Sequence, residues 1–120
     1  MEVVDDEAGS PTFAGDLAKA LVILAAMRAP GIMHVVNDGR ASRFELARAT
    51  ADLAGLDPEL VRPISTKAFL DRYPLPAPRP PDSTLRNLTA ARLGVKPRHW
   101  REALAAYVPT LANELGIGPS

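Results

Sequence analysis

Short runs of β-branched residues alternate with stretches of three-to-four-residue apolar periodicity. This alternation calls for helices layered on strands and excludes an all-helical bundle. Glu2-Val3-Val4-Asp5-Asp6 reads as a strand end and Ile32-Met33-His34-Val35-Val36 as a strand. Leu60 to Ile64 reads as a short strand that Pro63 confines to an edge or a strand end. Between the first two, Gly9-Ser10-Pro11 forms a turn, Thr12 is placed to cap a helix, and Ala29-Pro30-Gly31 ends it. Phe13, Leu17, Leu21 and Leu24 lie on one side of that helix, with Val22 and Ile23 on the other, which predicts a largely buried helix. Asn37-Asp38-Gly39 is the turn leaving the second strand. Ser42-Arg43-Phe44-Glu45 then matches a capping box, and the helix it opens carries Phe44, Ala47, Ala51 and Ala54 on one stripe and stops at Gly55.

The segment from Pro74 to Pro81 holds five of the twelve prolines, so it is neither regular helix nor central strand but an ordered loop or a linker. Beyond it, Asn87 to Leu93 suits a short helix closed by Gly94. Arg98 to Leu115 suits a longer one with Trp100, Leu104, Val108 and Leu111 facing inward. The expectation is an α/β arrangement of short strands with about four helices.

Composition narrows the function classes. Lysine plus arginine equals aspartate plus glutamate at 14 each, so no overall field attracts nucleic acid or an anionic membrane. Cysteine is absent, which removes disulfides, thiolate metal sites and cysteine nucleophiles. The apolar stretch Leu17 to Met27 contains Lys19 and is too short to span a bilayer. Acidic Glu2, Asp5, Asp6 and Glu7 stand where a signal peptide carries basic residues. A cytoplasmic protein is expected. At 120 residues the chain is one domain or part of one.

The chemistry-bearing residues are few. The eight glycines are scattered singly, so neither a dinucleotide nor a nucleotide-triphosphate loop is present. His34 and His99 lie far apart with no triad or metal spacing; His34 reads as a packed core or lining residue and His99 as solvated. The Gly9-Ser10-Pro11-Thr12 turn is open to two readings: a capping turn, the commoner use, or a helix amino terminus offering backbone donors to an anion. In Pro78-Arg79-Pro80-Pro81-Asp82-Ser83, flanking prolines hold an arginine whose guanidinium can fork onto two phosphate oxygens; the plainer reading is a surface loop. Trp100, flanked by Arg98 and Arg101, reads as a core anchor, with cation–π stacking as the alternative.

Together these pieces resemble one family. Val3-Val4-Asp5-Asp6-Glu7-Ala8-Gly9-Ser10-Pro11-Thr12-Phe13-Ala14-Gly15-Asp16-Leu17-Ala18 is similar to the VVDDQxGSPTYAxDLA stretch of dTDP-4-dehydrorhamnose reductases, which are extended short-chain dehydrogenase/reductases. The similarity continues in order through Gly31 to Asn37, Ser42 to Ala47, Ala77-Pro78-Arg79-Pro80 with Ser83 and Leu85, and Arg98 to Leu104. It implies the partial, carboxy-terminal, substrate-binding portion of an NAD(P)-binding Rossmann-like reductase. Residues 1–116 would be the sugar-nucleotide-binding segment and 117–120 a frayed tail. The implied family activity is NADPH-dependent reduction of dTDP-6-deoxy-L-lyxo-4-hexulose to dTDP-L-rhamnose, with NADPH and Mg2+ as the full-length partners. The resemblance makes Gly9, Ser10, Pro11, Thr12, Arg79, Pro80 and Ser83 the wall against a dTDP-sugar nucleotide, Arg79 on the diphosphate.

The cofactor half is missing from the pattern, because the glycine fingerprint is absent and neither Tyr73 nor Tyr107 has a lysine four residues on. No catalytic, cofactor-binding or metal residue is therefore assigned, and the chain alone is expected to bind no cofactor and to be inactive. A Rossmann half or a second copy is the expected protein partner, since a lone segment leaves apolar faces open. Glu7, Phe13, Arg86 and His99 depart from the family's usual glutamine, tyrosine, aspartate and proline. The rival reading is a non-catalytic interaction or regulatory module of the same fold, as in the regulatory subunits of methionine adenosyltransferase.

Overall fold

The computed structural model describes residues 1–117; of the expected frayed tail, residues 118–120 lie outside the described residues. Ile117 itself donates its amide to the Ala112 carbonyl at 2.8 Å.

Among the described residues the strands are short and pair in two separate ribbons. Strand β1 (Glu2–Val4) runs parallel to a later strand, Arg62–Ile64, with Val3 opposite Pro63 and Val4 opposite Ile64. Proline, which has no amide to donate, is tolerated there because each strand of the pair keeps one open edge. Strand β2 (Ala8–Gly9) pairs antiparallel with β3 (Ala41–Ser42); the Arg62–Ile64 strand is β4. On its other side β2 holds the end of the proline-rich segment. The Ala8 amide donates to the Pro81 carbonyl at 2.9 Å, and the Ser83 amide donates to the Ala8 carbonyl at 2.9 Å. The proline loop is thus ordered at its exit by main-chain bonds.

Among the described residues five α-helices follow from local signals and packing: α1 (Ala14–Ala26), α2 (Arg43–Leu53), α3 (Thr66–Arg72), α4 (Leu88–Arg92) and α5 (Trp100–Glu114). The α2 signals act as expected. The Ser42 hydroxyl oxygen accepts from the Glu45 amide at 3.0 Å, Ala51 is buried, and Gly55 takes the left-handed closing conformation at φ 76°. Among the described residues only the serine half of the capping box forms. Gly94 closes α4 in the same way at φ 83°. Trp100, Ala103 and Val108 bury one face of α5, which packs on α2. Helix α3 is the one the sequence reading passes over. Ser65 caps it by accepting from the Ala68 amide at 3.1 Å, and Lys67 and Asp71 pair one turn apart.

Three expectations are corrected. Helix α1 is not largely buried: Ala20 and Leu24 are, but Leu21, Val22, Ile23 and Met27 are exposed, Val22 to 69%. Its inner side meets Ala90 and Val95, and nothing among the described residues covers the rest. Ile32 to Val36 forms no strand, because a strand needs a lateral partner and none is present among the described residues. The Asn87 side chain stands in for one: the Val36 amide donates to Asn87 Oδ1 and Asn87 Nδ2 donates to the Val36 carbonyl, both at 2.8 Å. Ile32 is 94% exposed, and His34 is exposed rather than packed. Finally, Thr12 caps nothing. Helix α1 opens after Phe13, with no side-chain cap from its own first residues.

The result is a flat body of 45 × 41 × 20 Å with a radius of gyration of 16.7 Å. A self-contained domain of this length has a radius of about 14 Å. The core is correspondingly thin, with alanine supplying Ala20, Ala41, Ala51, Ala90 and Ala103.

Candidate functional site

Asn37 is the only residue whose side chain is both large and fully buried among the described residues. Its Oδ1 accepts from the Phe13 amide at 2.6 Å, so it supplies from 24 positions away the cap that α1 lacks locally. Its Nδ2 donates to Asp16 Oδ2 at 2.9 Å and to the Arg98 carbonyl at 3.1 Å, and its own amide donates to Thr12 Oγ1 at 3.2 Å. Arg98 completes the cluster with two bonds to Asp16, at 2.9 and 3.0 Å. Those arginine bonds hold the Asp16 carboxyl below the usual carboxylate range against the opposing effect of burial, and Asn37 adds to the lowering. Beside the cluster, Asp38 and His99 pair through their main chains, and the Trp100 amide donates to the Asp38 carbonyl at 2.9 Å. His99 is half-buried rather than solvated; its Nδ1 accepts from the Arg101 amide and caps α5. Both earlier readings of Trp100 apply. It is 2% exposed, and the Arg101 guanidinium stacks 4.4 Å from its ring centre.

This cluster fixes how the Gly9–Thr12 turn leaves β2, and the turn forms one wall of a cleft of about 400 Å3. Gly9, Ser10, Pro11, Arg79, Pro80 and Ser83 all line it. Thr12 does not. It faces Asn37 and lines a neighbouring apolar cavity of about 370 Å3 with Phe13, Trp100 and Tyr107. Gly9 allows a close approach: a β-carbon there would lie 3.2 Å from Ser83 Oγ, which would have to shift by a few tenths of an ångström. Ser10 reaches across the cleft mouth, its Oγ accepting from the Leu85 amide at 2.9 Å, so its hydroxyl ties the turn to the segment after the proline loop.

Sequence reasoning did not select Glu7, Ser42, Arg43 and Leu46, which line the cleft together with Ala8 and Ala41. The available signal was the capping serine, since a helix start brings its first side chains to the same place as its free amides. The electrostatics are uneven. Asp82 is held by Thr84 and Arg40, and the Thr84 bonds, chiefly its hydroxyl, keep the carboxyl ionised below its ordinary range. The Thr66 hydroxyl has one proton to give and lies closer to Asp6 Oδ1, at 2.5 Å, than to Glu7 Oε1, at 3.1 Å, so the Glu7 carboxylate faces the cleft beside the arginines. Arg43 and Arg79 make no ion pair among the described residues, so the cleft carries two uncommitted guanidinium groups. Such a pair suits an anion with several oxygens.

No helix among the described residues is long and apolar enough to cross a membrane, and no group of three or more His, Asp or Glu side chains there converges for a metal.

Comparison with known proteins identifies the family. Residues 1–113 match the family model described as the RmlD substrate binding domain. The dTDP-4-dehydrorhamnose reductase of Mycolicibacterium smegmatis is 46% identical over 99% of this chain and 36% of its own length. The Mycobacterium tuberculosis enzyme of the same name is 44% identical over 98% and 38%. Two solved dTDP-4-dehydrorhamnose reductases superpose well. That of Clostridium acetobutylicum gives a TM-score of 0.78 at 30% identity, covering 92% of this chain and 38% of that one. That of Bacillus anthracis, solved in complex with NADP, gives 0.76 at 31%, covering 89% and 37%. The chain therefore spans little more than a third of the length of these relatives. The expected α/β class and reductase fold hold, with five helices among the described residues where about four were expected. From its sequence and its fold alike, the chain belongs to the RmlD substrate binding domain family.

Proposed function

We propose that the chain is the substrate-binding part of an NADPH-dependent dTDP-4-dehydrorhamnose reductase acting in dTDP-L-rhamnose synthesis, and that it carries no reductase activity alone. The observation supporting this reading is the convergence of Gly9, Ser10, Pro11, Pro80 and Ser83 with the unpaired Arg79 on one cleft. Arg79 takes the diphosphate. The hydroxyls of Ser10, Ser42 and Ser83 and the nearby main chain are the hydrogen-bonding groups offered to a sugar. Thr12 acts one step back, holding the turn through Ser10 and Asn37.

The residues here do not suit a nicotinamide dinucleotide. Gly31, Gly39, Gly55, Gly94 and Gly116 sit singly in the left-handed region at turns and helix ends, instead of together in a phosphate cradle. Hydride transfer then falls to the remainder of a longer protein. The exposed apolar side of α1 and the unpaired run from Ile32 to Val36 are the surfaces against which that remainder would pack.

The test is a titration of dTDP into isotope-labelled chain, followed by amide shifts. Shifts grouped at Gly9, Ser10, Ser83 and the Arg79 side chain are expected. A saturating titration that leaves those signals unmoved refutes the site. Tight NADPH binding by this chain, read by cofactor fluorescence, refutes the claim that the cofactor is held elsewhere.

A further inference from the structure

We draw no further inference here: the strongest candidate, the apolar cavity of about 370 Å3 between the start of α1 and α5 with Phe13, Leu46, Trp100 and Tyr107 in its lining, has the polar side chains of Thr12 and Asn37 already hydrogen-bonded within the chain, and nothing in the structure shows what covers it.

Discussion

Replacing Asn37 by alanine tests the buried cluster most directly. The change removes three side-chain bonds at once, to the Phe13 amide, to Asp16 and to the Arg98 carbonyl. They are not equal losses. The Arg98 carbonyl still accepts from the Asp38 amide at 3.0 Å, and Asp16 keeps both arginine bonds. The Phe13 amide is left with no partner, at a cost of about 1–3 kcal/mol. Losing the bond to the Asp16 carboxylate adds about 1 kcal/mol, and the void where a fully buried amide stood adds a little more. The sum is about 3 kcal/mol. Against a total stability of about 6–18 kcal/mol for a chain of this length, that is a large fraction.

The assay is urea unfolding followed by emission of Trp100, the sole tryptophan, which is 2% exposed and hydrogen-bonded to the residue after Asn37. With a slope of about 1.5 kcal/mol per molar urea, the midpoint should fall by about 2 M at unchanged slope. Asn37→Asp sharpens the test: it keeps an acceptor for Phe13 but sets a second carboxylate against Asp16. It should be as unstable at pH 7 and regain part of the loss toward pH 5, as the pair takes up a shared proton. A midpoint for Asn37→Ala within about 0.3 M of the parent, equivalent to about 0.5 kcal/mol, refutes the idea that this amide holds the α1 entrance.

Two further outcomes follow from neighbouring residues. Gly39 sits at φ 95° with the His99 and Trp100 side chains where a β-carbon would go, so Gly39→Ala should destabilise by about 2–3 kcal/mol, seen as a lower thermal midpoint with lost near-UV signal from Trp100. Asp16 has its carboxyl pKa lowered in the folded chain, so its stabilisation is fully present above the unfolded value of about 3.9 and drains away as pH falls through the lower folded value. Asp16→Asn should therefore flatten the acid limb of stability below about pH 4 and leave the pH 5–7 region parallel to the parent; an unchanged acid limb rejects the assignment.

Much of the chain was legible because its signals are local. Ser42 with Glu45 at one end and Gly55 at the other bound α2, Gly94 bounds α4, and the proline cluster excludes regular structure between α3 and α4. Each of these acts through a backbone conformation or a bond spanning a few residues. The cleft was legible for a different reason: the Gly9-Ser10-Pro11 and Arg79-Pro80 to Ser83 motifs stand about 70 positions apart and carried their meaning as one ordered pattern.

Other features had no local sign. Asn37 looked like a turn residue, and only the fold brings Phe13, Asp16 and Arg98 to its amide from 21 to 61 positions away. Thr12 had the chemistry of a cap, but its hydroxyl is taken by Ser10 and Asn37. The apolar run from Ile32 to Val36 has the composition of a strand, yet pairing is a property of two segments, and here Asn87 takes the partner's place. The amino-acid sequence by itself determined the limits of α2 and the close of α4, the proline loop and the family, because capping, glycine conformation and motif order are written within short windows. The tertiary structure alone decided which helix faces are covered, which donors meet which acceptors, and that Arg43 joins Arg79 on one wall of the cleft. Burial and long-range hydrogen bonds depend on what the rest of the chain brings near, and no short window contains that.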